Sequence, residues 1–553
     1  MKTANALVLA LVVVTSLAAM PLAVADGGVP SAQPNAAGVS ADSPVVADLT
    51  YVGDDDDPST EGTIGYVEGI SYDDELAVDE RDDAVVEGDE LEAVVHRSMA
   101  RVEVIRELTF EDDVSVEVIS REAYAEDVGG TLEEFSADEQ LFENVRLEAL
   151  FMVDRETDAL EEHATLRGEG VGGYYAIGED EIVIVSDDRE NPELDEVTLG
   201  HELLHALQDQ HFDLTRYDRD TTNLDHAKLG LIEGDAVWLD TRYEQRCESD
   251  WDCVLPQTTP DPPAEFNVGL YLTLIQPYDD GPDYVDALRA DGGWDAVDAA
   301  YDEPPTSSSE IIRPGEERSP VELELEDASS DDWERLERED APESDTFGEA
   351  AIAAIFMHQT IESPGSGGVD QNAVFDGFTS LNFDHPVTDG WAGDEFVVYT
   401  AGDSPEESAF VWQTAWLDEG EAAAFHAGYL ELLEHVGAES VDERTYVIED
   451  EFPGAYHVDH DGETVTIVRA PSVDELADVH GDVEVDDDAV EGDVATESEG
   501  DGETVDDGDE ATDDADRTAD DGTAGEPDDA VPGFGVVVAL WGLVALVAFV
   551  RRR

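Results

Sequence analysis

Apolar side chains recur at helical spacing between residues 87 and 105, at Leu91, Val94, Val95, Met99, Val102 and Ile105. That spacing predicts an amphipathic helix. Residues 114–119 alternate like a half-buried strand, and Ser120 stands where it can cap a following helix. Residues 130–165 read mostly helical around Leu147, Leu150, Phe151 and Met152. Two short apolar runs, 172–177 and 181–185, flank a Gly-Glu-Asp turn at 178–180, the signal of a β-hairpin. A helical period then holds over 193–211 with Val197, Leu199, Leu203, Leu204 and Leu207. A polar connection over 214–223 leads to a second helix, expected from Asp225 as its N-cap to Arg246. Residues 269–300 look mainly helical, 304–314 form a loop, 321–345 are charged and irregular, and 346–361 form an apolar helix. Strands at 396–399 and 409–416, a helix at 419–436 and a strand at 464–468 complete a β-β-α-β pattern.

The two ends break these patterns. Lys2, an apolar run from Leu7 to Leu22 and Ala23-Val24-Ala25 read as a secretory signal peptide over 1–25. Residues 26–86 are rich in Gly, Pro, Ala and Asp without a sustained period, and disorder is expected there. Between 481 and 530 stand 23 acidic residues and one arginine, an expected unfolded stalk over 479–530. Pro532, Gly533 and Phe534 then open an apolar segment that closes on three arginines, 551–553. This tripartite end resembles the PGF-CTERM sorting signal of archaeal surface proteins. The resemblance implies that an archaeosortase removes 531–553 and that a lipid anchors the new end; a plain transmembrane anchor is the alternative. Either way the chain is expected to be secreted and held on the outer face of the membrane.

Charge narrows the setting. The formal net charge is −114, and only Lys2 and Lys228 are lysines. Such a surface repels itself at low salt and suits molar salt, where screening shrinks to about 3 Å, so the chain reads as halophilic. Nucleic acid is excluded as a partner, because its binding rests on Lys and Arg neutralising phosphates. The two cysteines, Cys247 and Cys253, are expected to form one local disulfide.

The sharpest chemistry lies in the 193–211 helix. His201-Glu202-Leu203-Leu204-His205 places two imidazoles one turn apart on one face, the spacing that holds Zn²⁺. Glu202 beside them is placed to act as general base on an attacking water. A third ligand is needed, and Glu233 is preferred: its one-turn neighbours Leu229, Gly230, Ala236 and Val237 form an apolar face where a carboxylate needs a partner. Gly230 and Gly234 are expected to let its helix approach the first. His211 is the rival, at the third histidine position of the metzincin pattern, but Gln208 replaces the glycine that pattern requires and Met357 lies in a helical stretch rather than a Met-turn. His226, Tyr243 and Tyr174 are candidate oxyanion donors. The hairpin before the helix offers either a strand edge for an extended peptide or an ordinary core hairpin.

The pair His201-Glu202-x-x-His205 and Glu233-Gly-Asp-Ala resembles the gluzincin metallopeptidases. The chain resembles still more an uncharacterised group of secreted zincin-like proteins, through Val104–Leu108, Gly173–Tyr175, Gly292–Trp294 with Tyr301, and Gly390–Asp394. The resemblance covers roughly residues 87–470 and implies a zincin-like fold. With the β-β-α-β pattern it gives an expected α+β chain: a zincin-like, mainly helical domain over 87–378 and a small α+β subdomain over 379–478. The resemblance also implies His201, His205 and Glu233 as zinc ligands, Glu202 as base, and a peptide or protein substrate. A non-catalytic surface protein that keeps the fold is the competing expectation.

Overall fold

The computed structural model describes residues 11–12 and 62–485, with breaks at 82, 87, 126–134, 169–170, 178–179, 258–266, 317, 339–340, 363–372, 377–379 and 403. Most of the leader, nearly all of the acidic stalk, and Pro532, Gly533 and Phe534 lie outside the described residues.

The short strands β1 (Leu11–Val12), β2 (Tyr66–Val67) and β3 (Ile70–Ser71) precede α1 (Gly88–Arg106). Then come β4 (Ser115–Ser120), α2 (Ala137–Ala149), α3 (Ala159–Gly168), and the hairpin β5 (Gly173–Ala176) and β6 (Glu181–Ser186). Two long helices follow, α4 (Glu196–Phe212) and α5 (Thr222–Ser249). The helical run continues with α6 (Val268–Asp279), α7 (Gly281–Gly292), α8 (Trp294–Asp302) and α9 (Ser308–Ile312). The C-terminal part holds β7 (Glu334–Arg335), β8 (Ser344–Asp345), α10 (Gly348–Glu362), β9 (Phe375–Asp376), β10 (Ser380–Leu381), β11 (Trp391–Thr400) and β12 (Ser408–Trp416). It ends with α11 (Glu419–His435), β13 (Glu439–Ser440), β14 (Thr445–Ile448), β15 (Gly454–Asp461), β16 (Thr464–Ala470) and α12 (Leu476–Val479).

In the N-terminal sheet, ordered β1-β5-β6-β4, β6 runs antiparallel to β5 and parallel to β4. One face buries Tyr175, Ile182 and Ile184 against Leu199, Leu203 and Leu207 of α4. The other buries Tyr174 and Val183 with Tyr124. The sheet thus lays one face alongside the helix that carries the histidine pair. β1 pairs antiparallel with β5, Leu11 opposite Tyr175 and Val12 opposite Tyr174.

Helix α4 starts where the Asp195 carboxylate accepts the N–H groups of Val197 (2.9 Å) and Thr198 (3.3 Å). Its first turn is locked from below by Glu196, a buried carboxylate that takes Arg97 and Arg101 from α1 and the Tyr243 hydroxyl from α5. Helix α5 is capped by Thr221, whose hydroxyl accepts from Leu224 N at 3.3 Å, and not by Asp225, which pairs with Arg219. The role expected of Gly230 and Gly234 is also corrected. A Cβ on Gly234 would lie 2.4 Å from the Gly281 backbone and one on Gly230 would lie 2.6 Å from the Ile311 side chain, so these glycines admit α7 and α9 and not α4. The close contact between α4 and α5 instead places Gly200 against the Tyr243 ring, 3.0 Å from where its Cβ would stand.

Two boundaries move. Within the stretch expected to be disordered, residues 62–86 fold: Val67, Val78, Ala84 and Val86 are buried with Val94 and Met99 of α1. Few apolar residues suffice there, because α1 supplies the rest of the surface. The C-terminal unit is also larger than β-β-α-β. Its antiparallel sheet is eight-stranded, ordered β13-β14-β15-β16-β12-β11-β7 with β8 also on β11, and so begins at residue 334 and not 379. Ile352 and Phe356 of α10 share its core with Phe396, Trp412 and Phe425. The mixture of helix and sheet is the α+β class expected.

Candidate metal centre

His201 and His205 project from one face of α4 toward Glu233 on α5, and all three are fully buried. One ligand atom from each can be chosen so that the three lie within 4.8 Å of one another. The Nε2 atoms of His201 and His205 stand 3.3 and 3.5 Å from Glu233 Oε2. Neither Nε2 atom and neither Glu233 oxygen has a hydrogen-bond partner. Orphaned polar atoms of this kind are costly in an interior. Here they converge, and two imidazole nitrogens with a carboxylate are a donor set that transition metals accept. The group can hold a metal ion.

The outward nitrogens are held. The Nδ1 of His201 lies 2.8 Å from Asp240 Oδ2, and the Nδ1 of His205 lies 2.8 Å from Gln208 Oε1. A proton on each Nδ1 leaves the Nε2 lone pair facing the centre. The Gln208 amide then donates to the Ile232 carbonyl at 3.0 Å, crossing from α4 to the residue before Glu233. Asp235 extends this layer, accepting from Arg106 and from the Tyr301 hydroxyl at 3.0 Å each. The Arg106 guanidinium lies 4.1 Å from the Trp294 ring centre. Arg106, Trp294 and Tyr301 lie in the segments that carry the resemblance.

The electrostatics favour a cation. Burial disfavours charge on His201, but the Asp240 and Glu233 carboxylates outweigh it and push its imidazolium up to about 10. Burial likewise opposes ionisation of Glu233, but His205 and His201 hold its carboxyl down to about 2. Glu202 sits beside the pair with neither oxygen partnered; burial, reinforced by Glu233 and Asp240, pushes its carboxyl well above the usual range.

Glu202 also lines a narrow cleft between α4 and the β5–β6 hairpin, with Gly173, Ile184, Asp195, Thr198 and Leu199. Gly173 keeps that wall close, since a Cβ would meet the Val183 carbonyl at 3.1 Å and push it back by a few tenths of an ångström.

The remaining candidates are placed elsewhere. His211 bonds through Nε2 to the Thr109 carbonyl at 2.8 Å and is not part of the cluster. The Tyr243 hydroxyl is committed to Glu196 at 2.9 Å. Tyr174 packs on Tyr124, on the sheet face away from α4. His226 is buried at the start of α5 and is not part of the cluster. Cys247 and Cys253 form the expected disulfide, away from the cluster. Sequence reasoning missed Asp240 and Gln208. Asp240 follows Glu233 by seven residues, two turns on the same face, and that spacing was its available signal.

Residues 334–480 match a protein family described as "Domain of unknown function (DUF8575)". No curated protein and no solved structure matches the chain. The match spans the eight-stranded sheet, whereas His201, Glu202, His205 and Glu233 lie before it. Among the described residues no helix is long and apolar enough to cross a membrane; residues 536–550 are outside them.

Proposed function

We propose that the chain is a cell-surface, zinc-dependent hydrolase of the gluzincin type, acting on peptides, with His201, His205 and Glu233 as ligands and Glu202 as general base. One observation carries the reading: three buried, unpartnered ligand groups converge while an unpartnered carboxylate beside them faces a cleft. Zinc in such a site supplies a Lewis acid that polarises a carbonyl and lowers the pKa of water to about 7.

The chain's own residues do the rest. Asp240 and Gln208 hold the two imidazoles in the tautomer that presents Nε2. Glu202 takes the proton of the attacking water and returns it to the leaving amine. The β5 edge takes up an extended segment antiparallel, as β1 does, and a substrate strand can use the same backbone groups. The signal-peptide-like leader and the PGF-CTERM-like end are the sequence features that support an outer-face location, with an archaeosortase and the membrane as processing partners. A second reading, in which the ion is structural and nothing is cleaved, is favoured by the complete burial of all three ligands.

The two readings separate in one experiment. Zinc content of the secreted protein is measured in high salt, followed by casein hydrolysis by wild type and Glu202→Gln. Stoichiometric zinc in both, with activity only in wild type, is expected. Zinc in both with equal background hydrolysis establishes the structural reading instead.

A further inference from the structure

The cleft beside Glu202 contains more carboxylate than general-base chemistry uses. Its lining includes Glu193 and Asp195 as well as Glu202, and neither lysine nor arginine contributes. Ile182, Ile184 and Leu199 give it an apolar wall. Asp195 spends Oδ1 on capping α4, and its Oδ2 has no hydrogen-bond partner among the described residues. Glu193 makes no side-chain hydrogen bond or ion pair among the described residues and is only half-buried.

A second feature points to a ligand. Thr198, one turn before Glu202, lines the same cleft at 6 % exposure, and its hydroxyl has no partner. Helical threonines ordinarily return that hydroxyl to a backbone carbonyl one turn back. The nearby arginines are already taken: Arg97 and Arg101 by Glu196, and Arg106 by Asp235 and Asp298. Burial, reinforced by Asp240 and Glu196, pushes the Asp195 carboxyl up to about 7. Among the described residues, no lysine or arginine lines this cleft.

We infer that the cleft is a specificity subsite for a basic residue of a peptide substrate, a lysine or arginine adjoining the bond presented to Glu202. The aliphatic stem lies along Ile182, Ile184 and Leu199, while the cationic head meets Glu193 and Asp195 with Thr198 as an accepting hydroxyl. An apolar wall leading to carboxylates matches the two-part character of such side chains. Screening by molar salt weakens ion pairs on an open surface but acts less on one enclosed by apolar walls.

This inference rests on the peptide-hydrolase reading, and its test keeps the two apart. Two peptides differing only in lysine or its neutral isostere norleucine are compared in high salt, both as cleavable substrates and as uncleavable analogues N-methylated at the scissile amide. Wild type is expected to favour lysine about tenfold in kcat/KM and in affinity, the size of one partly screened ion pair. Glu193→Gln is expected to abolish most of that ratio, Glu193→Lys to invert it, and Glu439→Gln, at an exposed site on β13, to keep it. Equal affinity of wild type for the two analogues overturns the subsite, whatever the cleavage result. Lysine-selective binding without any cleavage leaves the subsite standing and removes the peptidase reading.

Discussion

Gln208 occupies the position where one histidine pattern demands glycine, and that same side chain ties His205 to the backbone of α5. Its contribution is orientation, and so is that of Asp240 on His201. Groups of this kind hold a ligand's tautomer and ring plane, and their loss costs about 10–100-fold in metal affinity. Gln208→Leu and Asp240→Asn are therefore expected to weaken zinc binding by about that factor while leaving the circular dichroism spectrum in place. Competition against a chromogenic chelator reads the affinity. His201, His205 and Glu233 were legible because each sits on an apolar-periodic face where a bare polar group needs a reason. Asp240 was not, for a statistical cause with a physical origin: in a chain with 140 Asp and Glu, one more carboxylate carries no signal unless burial is known. Gln208 was read for what it was not, since its partner, the Ile232 carbonyl, is set by the packing of two helices.

Among the elements, α5 is the most constrained, touching α4 on one side and α7 on another. Gly234→Ala drives a Cβ to 2.4 Å from the Gly281 backbone, which cannot yield as a side chain can. A loss of about 1–3 kcal/mol is expected, with a lower thermal midpoint. Gly88→Ala, where a Cβ meets nothing within 4 Å, is the control and is expected to be neutral or slightly stabilising. The helices were largely readable because their period is local. Their ends were less so. Helix α10 starts at Gly348, with φ of +78°, because the Asp394 carboxylate accepts the Phe347 and Gly348 N–H groups from 46 residues or more away. The strand β15 escaped notice because both of its faces are covered: His457 is as buried as its neighbours Tyr456 and Val458, so the alternation that marks a half-exposed strand is lost. Residues 62–86 escaped because their few apolar groups complete a core that α1 and α4 supply.

At the scale of the whole molecule, burial of titratable groups ties stability to pH. Burial pushes both His226 and His385 down to about 4. Between that value and about 6.5, the unfolded chain takes up protons that the folded chain refuses. The stabilisation is thus fully present above about pH 6.5 and lost as pH falls toward 4, about 2 kcal/mol per histidine at pH 5. Glu103, pushed up to about 7 by burial, acts in the opposite sense, so the histidine part is isolated by comparing variants. The drop in denaturant midpoint from pH 7.5 to pH 5 is expected to be smaller in His385→Gln than in wild type. The complete burial of His201, His205 and Glu233, with Gln208 bridging α4 and α5, has a further consequence in time rather than in equilibrium. An ion seated there has no side-chain swing by which to leave; the two helices must part first. Its exchange is then timed by the breathing of the protein, so metal loss to excess chelator and amide hydrogen exchange in α4 are expected to share one activation enthalpy. A centre of that kind, once filled, keeps its ion through long spells in a metal-poor medium.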